Sequence, residues 1–317
     1  MRLAFTFIFT MIFFGNIYAQ KEKDSLFNIW NNIKLQDSTR YSAMGDLIEN
    51  HYLYAKTDSA LVLGKQILEL AQNKKNIRLE VEANTLIAKV YFELKEFSKG
   101  EEVYTKGLEL AEKTNDSFLY AEKLFRFGYL YKQYEDYTNA YKTLQKSQKL
   151  YSELGDRLNE GWSIAHQGFI YRDLGDYKEA EKYHKQHLQL SEEYDIKQSI
   201  SGAYGNLGEV YYELGEVSKS IEHWEKAIRL SKEIGLEEYA SVGTGKLLQI
   251  YINEKQFSEA TKYLNEYKAV TKEFAVPKYE RNFSMNIHLW QCRIDYGLGN
   301  YNKALKECEN CLKIYKT

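Results

Sequence analysis

The sequence predicts an all-α chain of stacked antiparallel helix pairs, a solenoid. Ala88, Gly128, Gly168 and Gly208 fall 40 residues apart, and each is followed three residues later by a tyrosine: Tyr91, Tyr131, Tyr171 and Tyr211. A second clock of small residues runs in step at Ala60, Gly100, Ala140, Ala180, Ser220 and Ala260. A fixed period in this range is the signature of a repeat architecture. A single proline and 19 glycines fit long helices joined by short turns.

Along the chain, residues 1–19 stand apart from the pattern. Arg2, an apolar run from Leu3 to Phe14 and a small residue at Ala19 read as a secretory signal peptide, cleaved to leave Gln20 first. The run is short for a membrane span, which needs about 20 residues, so no membrane insertion is expected after cleavage and the location is periplasmic or secreted. Residues 20–40 contain Leu26, Phe27, Trp30 and Ile33 at helical spacing, a capping helix. Seven helix pairs follow over 41–317, at about 41–80, 81–120, 121–160, 161–200, 201–240, 241–284 and 285–317. The sixth is longer, because Ala304 comes 44 residues after Ala260; Pro277 lies in it, at the junction before the seventh pair.

Unit five shows how one pair is built. Leu207, Tyr211 and Leu214 form one apolar helix face, and Gly215 terminates the helix in the left-handed conformation. The second helix returns Ile221, Trp224, Ile228 and Leu230 against the first, with Gly208 where the two backbones approach. The first unit departs from the pattern, with Ile48 and His51 at the clock positions, and so does the last, with Cys292 and Asp295.

The strings Gly168-Phe169-Ile170-Tyr171-Arg172-Asp173-Leu174-Gly175-Asp176-Tyr177-Lys178-Glu179-Ala180 and Gly208-Glu209-Val210-Tyr211-Tyr212-Glu213-Leu214-Gly215 resemble tetratricopeptide (TPR) repeats. The 40-residue spacing is similar to the long variant found in kinesin light chains and some cell-polarity scaffolds, and the resemblance covers about residues 41–317. It implies a right-handed superhelical solenoid whose first helices line a concave binding surface. By that analogy the lining includes Lys89, Phe92, Phe125, Tyr129, Lys132, Trp162, Phe169, Arg172, Glu209 and Tyr212. The resemblance implies a non-catalytic scaffold or adaptor that holds a protein or peptide. Aromatics interleaved with Lys89, Lys132 and Arg172 suit an extended peptide with acidic groups, unless Glu93, Asp173 or Glu213 neutralises them. The alternative is a ligand-sensing component acting with a membrane kinase encoded elsewhere, since secreted arrays rich in Lys, Asn, Tyr and Ile resemble the sensor halves of bacterial kinases.

Other features bound the reading. With 43 Lys+Arg against 45 Asp+Glu there is no basic surplus to neutralise a phosphate backbone, so nucleic acid is not expected. No catalytic motif or cofactor fingerprint is present, and no cofactor is expected. Gly243-Thr244-Gly245-Lys246 is no phosphate loop: Ala240 replaces the leading glycine and Leu247 the Ser or Thr. The three cysteines, all in the last unit, admit plain packing, a disulfide from Cys292 to Cys308 or Cys311, or a zinc site of His288, Cys292, Cys308 and Cys311. His184 and His187 share a helix face without a third metal ligand and are expected to face a neighbouring repeat. Leu305, Leu312, Ile314 and Tyr315 predict weak homodimer formation, or docking, through the C-terminal end.

Overall fold

The computed structural model describes residues 21–273 and 277–316, and those residues are helices joined by short turns. The signal-peptide segment therefore lies outside the described residues. Helix α1 covers 21–31. It is followed by α2 (Asp37–Leu47), whose last turn widens into a π-helix at Ile48–Tyr52, and by α3 (Thr57–Asn73). The remaining pairs are α4 (Ile77–Glu93) with α5 (Phe97–Lys113), α6 (Ser117–Gln133) with α7 (Tyr137–Leu154), and α8 (Arg157–Asp173) with α9 (Tyr177–Glu193). Then come α10 (Lys197–Glu213) with α11 (Val217–Glu233), α12 (Glu237–Asn253) with α13 (Phe257–Glu273), and α14 (Pro277–Gly297) with α15 (Tyr301–Lys316). No helix among the described residues is long and apolar enough to cross a membrane.

Two compact units are present, the first ending at Leu154 and the second beginning at Gly155. In the first, Met44, Leu47, Ile48 and Leu53 pack with Ile67, Leu86 and Val90. In the second, Trp224 and Ile228 pack with Leu247, Leu248, Tyr251, Leu264 and Ile294.

The tyrosine clock has a backbone counterpart. The carbonyls of Tyr91, Tyr131, Tyr171, Tyr211 and Tyr251 each accept the N–H five residues on, at 2.8–2.9 Å, which closes a Schellman motif at the helix end. The residue before each donor is left-handed, and such residues recur every 20 positions from Lys75 to Gly215, Gly235 and Lys255, with φ between +50° and +78°. Several of the donors also cap the next helix. The Asp136 and Asp176 side chains accept from the N–H groups of Asn139 and Glu179, so one residue both ends one helix and starts another. At Lys75, Lys95, Asn115, Glu135, Asp195 and Lys255 the left-handed residue is not glycine. Glu135→Gly is therefore expected to stabilise the protein by roughly 0.5–1 kcal/mol, since relief of the Cβ clash exceeds the added freedom of the unfolded chain. A thermal midpoint unchanged or lowered by this substitution would contradict it.

Between the helices of a pair, the large residues also keep the 40-residue step: Tyr104, Leu144, His184, Trp224 and Leu264. Each of Leu144, His184 and Trp224 lies over a clock glycine; a Cβ at Gly208 would come within 2.8 Å of the Trp224 ring. The departures from period are absorbed locally. The π-turn, with Leu53 N–H donating to the Ile48 carbonyl at 2.8 Å, takes up the irregular Ile48–His51 stretch. The four extra residues before Ala304 lengthen α14 to 21 residues where its predecessors have 17. Pro277 opens that helix rather than ending one, at the position where a missing N–H is tolerated.

Candidate functional site

In the first unit, α2, α4 and α6 line a groove of about 710 Å³. Residues one helical turn apart share its walls: Glu82, Leu86 and Lys89 from α4, and Arg126, Tyr129 and Gln133 from α6. Asp46 and Glu49 come from α2 and its π-turn, and Tyr54 stands at the edge, 73% exposed. Leu79, Leu86 and Leu130 supply apolar surface.

The charges are arranged in pairs. Lys89 Nζ lies 3.0 Å from Glu49, and Arg126 Nε donates to Glu122 at 2.7 Å. Lys123, only 2% exposed, reaches Glu82 at 2.8 Å and Glu122 at 3.5 Å. Burial pushes the Glu122 carboxyl up, but Lys123 and Arg126 outweigh it and hold the group below its usual range. Tyr104, buried beneath, donates its hydroxyl to the Lys123 carbonyl at 2.9 Å, which fixes the helix that carries Lys123 and Arg126.

In the second unit, Trp162 and Phe169 of α8 are half-buried. The Trp162 ring packs 5.7 Å from His187, and the Phe169 ring lies 5.2 Å from His166 and 5.1 Å from His184. Arg172 covers Phe169 at 5.0 Å and donates to Asp173 at 3.0 Å. Glu209 pairs with Lys246. The Tyr212 hydroxyl accepts from Asn253 at 2.9 Å, and the Asn253 carbonyl oxygen accepts from Arg293 and Gln249. Trp290 extends this network by donating to Gln249 at 3.3 Å. This ladder across α10, α12 and α14 was missed from sequence, although Tyr212, Asn253 and Arg293 follow the 40-residue step closely enough to have signalled it.

Of the residues expected to line a binding face, Lys89 and Tyr129 are in the groove of the first unit. Phe125 and Lys132 are half-buried and do not line it. Phe92 is a correction: it is 2% exposed, packed against Phe97 and Tyr134 with ring centroids 5.8 and 5.1 Å away. Position 92 is three residues past Lys89, which turns it off the inner face and onto the adjoining helices. The fit to an acidic ligand is also corrected, because Lys89 and Arg172 are already held by Glu49 and Asp173.

Cys292 of α14 and Cys308 of α15 form a disulfide, with Cα atoms 5.5 Å apart, and Cys311 is free. The zinc alternative fails on the same facts. Two of its four ligands are joined to each other, and His288 Nδ1 faces Glu307 at 2.6 Å. Among the described residues no cluster of His, Cys, Asp or Glu is placed to hold a metal. Gly243 and Thr244 are buried inside α12, away from any loop. His184 and His187 are fully buried, with Ser199 of α10 2.7 Å from His187 Nε2; both ring nitrogens of His184 and Nδ1 of His187 lack partners.

The fold recurs in known structures. BtubC (BKLC) from P. vanneervenii is 18% identical, with a TM-score of 0.58 over 69% of this chain and 92% of that one. A signal transduction ATPase (STAND) with a tetratricopeptide repeat sensor, from Pyrococcus horikoshii, is 21% identical with a TM-score of 0.64. The match takes in 94% of this chain but 44% of that longer protein. A Rap protein complexed with Competence and Sporulation Factor is 13% identical with a TM-score of 0.56, over 94% and 97% of the two chains. At these identities the likeness is one of fold. No curated protein matches the sequence. The MalT-like TPR region family matches residues 82–310, most of the chain and all but the first of its paired helices. With the helix pairs and their 40-residue period, that match makes the chain a member of the MalT-like TPR family.

Proposed function

We propose that the protein is a non-catalytic interaction scaffold that holds a peptide or protein segment in the groove of its first unit and acts outside the cytoplasm. The observation that carries this reading is the groove itself. It combines exposed aromatic and charged side chains with apolar patches, all on helices that are held rigid by their pairs. Arrays of this kind use such surfaces to bind other chains, and the Rap protein of similar fold is found complexed with Competence and Sporulation Factor. The leader pattern of residues 1–19 and the Cys292–Cys308 disulfide support the extracytoplasmic setting.

A photo-crosslinking side chain placed at Tyr129, in the groove, and separately at Tyr301, on α15, tests the reading in the native host. Capture of a protein or peptide from Tyr129 and not from Tyr301 is the expected result, by bait that begins at Gln20 in the extracytoplasmic fraction. Capture from Tyr301 alone would move binding out of the groove. No capture from either position would leave a small molecule as the ligand and overturn the scaffold reading.

A further inference from the structure

The groove of the first unit has a charge asymmetry that bears on what it holds. One wall carries Asp46, Glu49 and Glu82. The cations set against them are Lys89 and Lys123, and Lys123 is buried in the wall with its ammonium already on Glu82. Asp46 has no ion-pair partner among the described residues. Glu49 and Glu82 keep 46% of their side chains exposed, against 32% for Lys89. On the opposite wall Arg126 is matched by Glu122. Carboxylates thus exceed cations by one, and the surplus lies on the accessible surface of α2 and α4.

We propose that this groove selects a segment presenting a basic side chain to Asp46, Glu49 and Glu82, with an apolar side chain beside it over Leu86 and Tyr129. The inference rests on the groove reading above and adds the chemistry of the ligand. An acidic segment would have to take Lys89 from Glu49 or Arg126 from Glu122 and leave a carboxylate unpaired as water is excluded, which is unfavourable. A lysine or arginine needs no such exchange, because a carboxylate offers lone pairs for more than one donor. The rings of Tyr129 and Tyr54 stand where a cation can also lie against an aromatic face. The leucines beneath supply the contact area that a charge pair at a solvated rim does not.

Panning random displayed peptides against the full chain tests this. The expected outcome is enrichment of peptides pairing Lys or Arg with a neighbouring Leu, Ile, Phe or Tyr. Affinity should fall about tenfold, and salt sensitivity should decrease, in the Asp46→Asn, Glu82→Gln double variant. Circular dichroism would confirm that this variant folds, and Asp46→Asn alone, at an exposed site, provides a second variant with the same expected direction. Enrichment of acidic or uncharged peptides whose binding is lost on Tyr129→Ala would overturn the basic-ligand inference while leaving the groove reading intact. Enrichment indifferent to Tyr129→Ala, or no enrichment at all, would overturn both.

Discussion

Lowering the pH from 7 to 4.5 is expected to destabilise the second unit by about 5 kcal/mol through two histidines alone. Burial drives the pKa of His184 down to about 3, with His187, Arg172 and His166 adding to the effect, and drives His187 down to about 4. His166 and Arg172 face His184 from α8, and the hydroxyls of Ser191 and Ser199 gather at His187. In the unfolded chain both imidazoles titrate near 6.5. Above that pH neither state takes up a proton, so the histidines impose no penalty. Below it the unfolded chain binds protons that the folded chain refuses, and stability is lost as pH falls from about 6.5 toward the two folded values. Position 184 is occupied by leucine one repeat earlier, at Leu144, and one pair of repeats later, at Leu264. His184→Leu is therefore expected to remove about half of the excess acid dependence. It should also raise stability at neutral pH by about 1–3 kcal/mol, since two buried nitrogens without partners are removed. Denaturant titrations at a series of pH values would check both, and superimposable pH profiles for wild type and variant would sink the assignment.

Trp224→Ala is expected to destabilise the second unit by about 3–5 kcal/mol, the range for deleting a large buried side chain. Trp224 is 7% exposed and fills the space left by three glycines. A Cβ at Gly205, Gly208 or Gly243 would lie 3.0, 2.8 or 3.4 Å from its ring. The same geometry predicts a strong coupling. In the wild type, Gly208→Ala should be destabilising by about 1–3 kcal/mol, because the indole cannot retreat. With Trp224→Leu in place the alanine should be nearly neutral, since the smaller side chain frees the volume. A double-mutant cycle measures this directly, and additive effects would show that the glycine answers to some other contact.

The helix pairs were legible because their cause is periodic in sequence. A small residue must recur wherever a large one crosses the pair, and Gly128 with Leu144 or Gly208 with Trp224 records that requirement in residue types. The helix ends were less legible. Gly215 announces a left-handed turn, but Lys95, Glu135 and Lys255 adopt the same conformation because the Schellman hydrogen bonds outweigh their Cβ strain. The site was read only in part. The repeat fixes which residues are equivalent, not which helix face opens onto the groove, so Phe92 and Lys89 looked alike although one is core and the other lining. Lys123 could not be read as buried, because the carboxylate that allows it, Glu82, is 41 residues away. Nor could spacing choose Cys308 over Cys311 as the partner of Cys292, since both lie on one face of α15, a turn apart.

The uniform connectors have a consequence for how such a chain changes length. Since Asp195 and Gly235 occupy equivalent turns, excising one whole 40-residue module between them would rejoin like to like. The new junction would inherit the same left-handed residue and the same helix-ending hydrogen bonds. A loss of one or two residues within a helix would instead rotate everything beyond it by about 100° per residue, and would set large side chains against large ones. Gene duplication and deletion can therefore lengthen or shorten the array only in whole modules, which makes its size quantised while the sequence within each module stays free to diverge.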